Sequence, residues 1–313
     1  MSPLEWIRCR IKRTVSKGCY ERYSQSCDAL RQRTVHSICA KGLWRVSESA
    51  FAASCVKKKR YAPGKRGGGA SKVTAAVLQE NAILRHTDGS QAALIIEHGE
   101  LVDMPTRYRI YGADETIYDA FFPTDCVLSV VSEMADGEAI EVGTVGREGT
   151  SAIPLLMGGT TTANDCYCQV PGRAIRLPIA HFHHLRTTDT AFRVLLDHFL
   201  QAYVSFLGQL TACNRLHNTE ERCARWLLLT QDRVGTNRIP LTHEYLAMMI
   251  GSRRSGVSLA LGALRQAGYI DYMQGAITIT DRAGLLRTSC QCYVVARKLF
   301  SKLGSHREAD GEL

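Results

Sequence analysis

The chain has 313 residues, 45% of them hydrophobic, with a net charge of +9 at pH 7 and a pI near 9.0. That length can bury a core without cross-links, so its 12 cysteines need not form a disulfide framework. No run approaches the roughly 18 uninterrupted apolar residues of a membrane helix, and the start lacks the roughly 7 to 15-residue apolar core of a signal peptide, so a cytoplasmic location without a membrane partner is expected.

The charge is unevenly spread. Residues 1–72 hold 17 Lys and Arg against 4 Asp and Glu. They include the runs "KKKR" and "GKRGGGASK" and show no sustained apolar period, which predicts a disordered basic tail. Such a tail reads as a nucleic-acid arm, as a solvated extension, or as sequence upstream of a true start near Val73 or Val77. Its cysteines, Cys9, Cys19, Cys27, Cys39 and Cys55, lack the spacing of cluster ligands. Residues 73–216 hold 9 basic and 17 acidic groups, whereas residues 217–303 hold 12 and 6. A basic module beside an acidic one suits a polyanion partner for the first alone, since phosphates are contacted by Lys and Arg.

Residues 94–178 read as an antiparallel β domain. Short runs such as "ALIIEHGELVDM", "DAFFP", "CVLSVVSEM", "AIEVGTV", "CYCQV" and "RAIRLP" are broken by turn signals at Asp136-Gly137, Gly158-Gly159 and Pro171-Gly172. Cys166 and Cys168 face one way on a strand, and "HFHH" at 181–184 follows. Thiolates and imidazoles suit zinc or iron, so a metal- or redox-dependent protein using the Cys166 and His181 region is the alternative reading. Buried cysteines are also ordinary core residues; no metal site is assigned here, and Cys290 with Cys292 makes a weaker pair still.

From Phe192 the pattern becomes helical. Phe192, Leu196, Phe199, Tyr203, Phe206, Leu210 and Cys213 step by 4, 3, 4, 3, 4 and 3, a heptad seam that fits either a two-helix interface or a helix buried in a single chain. A second stripe of Leu195, Leu200, Val204 and Leu207 is available to pack on the β domain. The run "HNTEERCARWLLLTQDRVG" predicts another helix, with Ala224, Leu227 and Leu228 facing inward.

In "LTHEYLAMMIGSRRSGVSLALGALRQAGYI", Thr242 is placed to cap a short helix and Gly251 to end it, since glycine tolerates positive φ. Ser252 is a candidate cap for a second helix that turns Val257, Ala260, Leu261 and Leu264 inward. Ser255, Ser258, Leu259 and Gly262 then face outward, with Arg254 in the first turn. Next, "GYIDYMQGAITITD" alternates about a turn at Gln274 and Gly275 and predicts a hairpin. Helix, turn, helix and hairpin make a winged helix-turn-helix, whose second helix enters the DNA major groove.

These residues carry a resemblance. The run from Leu241 to Leu285 resembles the C-terminal DNA-binding domain of the Crp/Fnr family of bacterial transcription regulators. The upstream run "FFPTDCVLSVVSEMADGEAIEVGTVGREGTSAIPLLMGG" is similar to its cyclic-nucleotide-sensing branch, and the likeness covers about residues 77 to 300. It implies an α+β chain: a β jelly-roll (double-stranded β-helix) effector domain at 73–188, a dimerisation helix at 189–216, a winged helix-turn-helix at 217–303 and a flexible end at 304–313. The implied activity is transcription regulation, not catalysis. The implied partners are double-stranded DNA, a second copy of the chain through the heptad seam, and RNA polymerase.

By the same resemblance, Arg254 aligns with the arginine that reads guanine, whose O6 and N7 match the guanidinium fork. Ser255 and Ser258 are expected at a base or phosphate, Arg253 at a phosphate, and Thr242 and His243 at the backbone. The family often has a glutamate where Ser255 stands and a polar or basic residue where Leu259 stands, so the operator sequence does not transfer. In the effector pocket Gly149 matches the family glycine. However, Thr150 replaces the glutamate, and Thr160, Thr161 and Thr162 stand where the arginine belongs. A buried phosphodiester needs a charge-assisted partner, so cyclic AMP is not an expected cofactor and the effector stays unnamed.

Overall fold

The computed structural model describes residues 69–303. The basic tail and the last ten residues, with the expectations placed on them, lie outside this range, apart from the few tail residues from 69 on. Strand β1 (Ser71–Lys72), the one-turn helix α1 (Ala75–Leu78) and helix α2 (Gly89–His98) lead into the β domain. Between the helices, buried Asn81 anchors the segment: its Nδ2 donates to Pro123 O and Gly149 O, both at 2.9 Å, and its Oδ1 accepts from Ile83 N and Leu84 N.

Helix α2 corrects one reading. The run "ALIIEHGELVDM" is not a single strand, because its first half is helical and only β2 (Glu100–Met104) is extended. Buried Gln91 and Ile95 lie four residues apart, a helical spacing carried by good helix formers, and Gly99 ends the helix in extended backbone.

Strands β3 (Arg109–Tyr111), β4 (Asp119–Pro123), β5 (Val127–Glu133) and β6 (Ala139–Val145) follow, then the short helix α3 (Ile153–Leu156), β7 (Asp165–Val170) and β8 (Gly172–Pro178). They form two antiparallel four-stranded sheets, ordered β1-β2-β8-β4 and β3-β7-β5-β6. Leu101, Phe122 and Ile175 from the first sheet and Leu128, Val145 and Cys168 from the second share one core. Helix α4 (Ile179–Thr188) closes the domain. The long helix α5 (Thr190–Leu216) leaves it, with Asp189 accepting from Phe192 N at its start.

The C-terminal part contains α6 (Thr219–Val234), β9 (Arg238–Pro240), α7 (His243–Ile250), α8 (Arg254–Gln266), β10 (Ile270–Met273), β11 (Ala276–Ile279), α9 (Arg282–Thr288) and α10 (Cys292–Ser301). A full capping box starts α6: Asn218 accepts from Glu221 N, and Glu221 accepts from Asn218 N. Ala224, Leu227 and Leu228 are buried, as their spacing predicts.

The heptad seam turns inward. Phe192, Leu196, Phe199, Tyr203, Phe206 and Cys213 are all buried within the chain, and Leu210 is half-buried against the C-terminal core. The Phe199 ring lies over Gly149, where a side chain would collide with it, and the Tyr203 hydroxyl likewise closes on Gly143. Phe206 packs edge-on against Phe300, with centroids 5.5 Å apart. This corrects the partner-helix assignment, because these residues cover both halves of their own chain. The stripe left outside includes Gln201, Val204, Gly208, Thr211 and Arg215, so Val204, expected against the β domain, is exposed.

Polar contacts join the β domain to the C-terminal part. Ser129 Oγ donates to Glu141 Oε2 at 2.7 Å, and Trp226 Nε1 donates to Glu141 Oε1 at 3.4 Å. Arg233 donates to Thr144 Oγ1 and to Glu148 Oε1, both at 2.6 Å. Arg107 bonds the Tyr245 hydroxyl. Burial pushes the Glu141 carboxyl up from its ordinary 4.5 to about 8, against the pull of these hydrogen bonds and of Arg233 and Arg225.

Between those two values the unfolded chain has released the Glu141 proton and the native chain has not, so rising pH favours unfolding. Stability from this group should be complete below about 4.5 and lost as pH rises through about 8. Thermal unfolding across that window should show the decline in the native chain, and Glu141→Gln should flatten it; a variant with the same slope would remove Glu141 as its cause.

Candidate nucleic-acid interface

Helix α7 begins at Thr242, whose Oγ1 accepts from Tyr245 N at 3.2 Å. It ends at Gly251, which sits in the left-handed region with φ 59° and ψ 49°. Arg222 Nη1 donates to Ile250 O at 2.7 Å, satisfying one of the carbonyls that the helix end leaves open. The turn is therefore held from α6 as well as by its own backbone.

Ser252 does not cap α8. The capping position is Arg253, without a side-chain cap bond, while the Ser252 hydroxyl meets Thr219 Oγ1 at 3.3 Å. The first N–H groups of α8 thus have no capping side chain, a terminus suited to an anion. Inward, α8 buries Val257, Ala260, Leu261 and Leu264; outward, it exposes Arg253, Arg254, Ser255, Ser258, Leu259 and Gly262. Leu259 is 77% exposed, and the helix carries no acidic residue.

His243 and Ser258 act together. His243 Nδ1 lies 3.0 Å from Ser258 Oγ, and its ring packs against Tyr272 of β10 at 4.5 Å. Partial burial, then the nearby Arg254 charge, lowers the His243 pKa. Both effects favour the neutral imidazole, whose Nδ1 shares a hydrogen bond with the Ser258 hydroxyl.

Behind the helices stands a three-stranded sheet ordered β10-β11-β9. The hairpin turns at Gln274 and Gly275, with φ of 51° and 73°. Positive φ at both central residues matches the twist of the flanking strands. Arg265 braces the sheet through a 3.0 Å ion pair to Asp271.

The expected effector residues form no open polar cradle. Thr150 is fully buried: its hydroxyl donates to Phe121 O at 3.0 Å and accepts from Ala152 N. Gly149 lies under Phe199, while Thr160 and Thr161 are exposed on a loop. Arg147 donates through Nε to Thr124 O at 3.1 Å. The Cys166 and His181 region does not assemble either. Cys166 and Cys168 are core residues, Cys168 Sγ lies near Met104 O and Val170 O, and His181 stacks on His98 at 3.9 Å.

Two helices around a left-handed glycine, an exposed basic helix start and a β-wing define a winged helix-turn-helix joined to a β-sheet domain by a long helix. Residues 221–288 match the family model of the Crp-like helix-turn-helix domain. The chain is similar in structure to a CRP-family transcriptional regulator from Thermus thermophilus, at 20% identity and a TM-score of 0.52 over 60% of this chain and 95% of that one. It is also similar to FixK2 from Bradyrhizobium japonicum, at 14% identity and a TM-score of 0.53 over 61% and 98%. No curated protein matches in sequence. The fold is that of the Crp/Fnr regulators, and the C-terminal part contains their helix-turn-helix domain.

Gly251 carries a double constraint, because an added Cβ would lie 2.8 Å from Ile140 Cδ1 and would also meet the left-handed strain. Gly251→Ala should cost about 1 to 3 kcal/mol in urea unfolding. Gly262→Ala, with open space around it, should be neutral or stabilising by up to about 1 kcal/mol. Equal effects at the two positions would show that the turn needs no glycine.

Proposed function

We propose that the chain is a sequence-specific DNA-binding transcription regulator that binds near-palindromic sites as a homodimer, with α8 in the major groove. The observation that carries this reading is the exposed first turn of α8: Arg253, Arg254 and Ser255 on an acid-free helix, braced by α6, α7 and the wing. Arg254 would take a guanine edge through its fork. Arg253 and the uncapped N–H groups would take a phosphate. Ser258 would present a hydroxyl oriented by His243, and Leu259 an apolar contact for a thymine methyl. The reading is one of recognition, not catalysis.

The β domain is proposed to keep the fold of a cyclic-nucleotide sensor without its ligand. Threonines at 160–162 stand where the phosphate partner is expected, and Phe199 covers the glycine that would approach it. For dimerisation, the outer stripe of α5 replaces the buried seam. Val204 is 55% exposed, and nothing lies within 4 Å of a Cβ added at Gly208. A mid-helix glycine costs roughly 0.5 to 1 kcal/mol relative to alanine, and close approach of a second helix gives it a purpose. A pair of α8 helices would then reach grooves about 34 Å apart.

Selection of fragments from a genomic DNA library should recover a two-fold-symmetric motif. Arg254→Ala should weaken that binding by about 1 to 3 kcal/mol and leave non-specific binding nearly unchanged. A uniform loss on all DNA would assign Arg254 to a phosphate, and no loss would remove it from the interface.

Sedimentation should show a dimer that Val204→Arg converts to a folded monomer. A variant that stays dimeric would place the interface elsewhere.

A further inference from the structure

The far end of α5 carries a feature that the DNA-binding reading does not use. Cys213 lies on the last turn of α5, and His217, four positions on, is the extended residue that caps it, its backbone N–H donating to Cys213 O. Cys290, between α9 and α10, and Cys292, the first residue of α10, reach the same point from the C-terminal part. One ligand atom from each of these four residues lies within 4.8 Å of the other three. Cys213 Sγ and Cys290 Sγ are 3.6 Å apart, and Cys292 Sγ and His217 Nδ1 are 3.5 Å apart.

We propose that Cys213, His217, Cys290 and Cys292 form a closed tetrahedral site for one zinc ion. Zinc–sulfur bonds of about 2.3 Å and zinc–nitrogen bonds of about 2.0 to 2.1 Å separate tetrahedral donors by about 3.8 Å for two sulfurs and about 3.5 Å for a sulfur and a nitrogen. The Cys213–Cys290 and Cys292–His217 separations match these, and the remaining pairs lie within 4.8 Å. Three soft thiolates and one imidazole select zinc over hard cations. The donors are too close together to enclose several irons.

The surroundings agree with a metal centre. The three thiols are buried, as a structural site that excludes water requires. Gln209, one turn earlier on α5, donates through Nε2 to Cys292 Sγ at 3.0 Å, the kind of outer hydrogen bond that orients a ligand. Three thiolates, a neutral imidazole and Zn2+ leave one negative charge. Buried Arg225, whose Nε has no hydrogen-bond partner, acts electrostatically on Cys213 and Cys290 and would offset it.

The site ties the end of the long helix to the α9–α10 junction, across the point where the chain turns into α6. Zinc would therefore fix the C-terminal part against α5. None of the four ligands lies on the exposed face of α8, so metal binding and DNA binding are tested independently.

The test is a titration of the reduced, chelator-stripped full-length chain with Co2+ and then Zn2+, in the absence of DNA. We expect one equivalent of Co2+ to give the intense visible bands of a tetrahedral thiolate site, and Zn2+ to displace it. Cys290→Ser and Cys292→Ser should weaken binding by more than about 100-fold, beyond the 10 to 100-fold that loss of an outer partner costs. Gln209→Ala, which removes no ligand, should weaken it by about 10-fold. His217→Cys keeps four ligands and should retain the bands at shifted positions, which guards against variants that merely fail to fold. Absence of tetrahedral bands in the native chain would overturn the site. So would bands unchanged in Cys290→Ser and Cys292→Ser, since other cysteines of the chain would then hold the metal.

Discussion

The aromatic stripe of α5 meets a β domain that has glycines where the rings arrive, and most of the architecture depends on that contact. Phe199 occupies the space that Gly149 leaves, Tyr203 the space at Gly143, and Phe206 continues the stripe onto Phe300 of the C-terminal part. Each large apolar side chain so buried is worth about 1.5 to 3 kcal/mol. One helix therefore serves as the shared core edge of both halves. Two functional consequences follow from the same packing: the glycine at the expected ligand loop is covered, and the helix has only its opposite face to offer a partner.

A second layer of constraint is polar. Glu141, Arg233, Glu148 and Trp226 meet where the β domain touches α6. Buried polar groups hold a fixed geometry only when satisfied, and removing one partner strands the others. The contacts extend to α7 through Arg107 with Tyr245 and through Ile140 against Gly251. The angle between α7 and α8 is thus set within contact distance of the β domain, so any change there has a short mechanical path to the exposed face of α8. The thiol and imidazole cluster binds the opposite end of the same connection.

Much of the interface was legible in the sequence because its signals are local. Thr242 as a cap, Gly251 as a left-handed stop, the inward set Val257, Ala260, Leu261 and Leu264, and the Gln274-Gly275 turn each rest on φ preference or helical period within a few residues. The Ser252 cap failed for a reason outside that window: Thr219, thirty-three positions away, engages its hydroxyl. The run beginning "ALIIEH" failed because a short apolar stretch fits helix and strand alike, and the Gly99 break decides only once the backbone is seen.

The sequence by itself determined the order of modules, the β-rich first half, the long amphipathic helix and the winged helix-turn-helix, since each follows from periodicity, capping and turn chemistry along the chain. It also places Thr160, Thr161 and Thr162 where the resemblance to cyclic-nucleotide sensors would put an arginine. Tertiary structure decided what covers each apolar stripe. A heptad repeat states that one face of a helix must leave water, but it does not say whether that face meets a second copy or its own domain. Tertiary structure also brought Cys213 and His217 to Cys290 and Cys292, because donors more than seventy residues apart become one site only when the chain between them has packed.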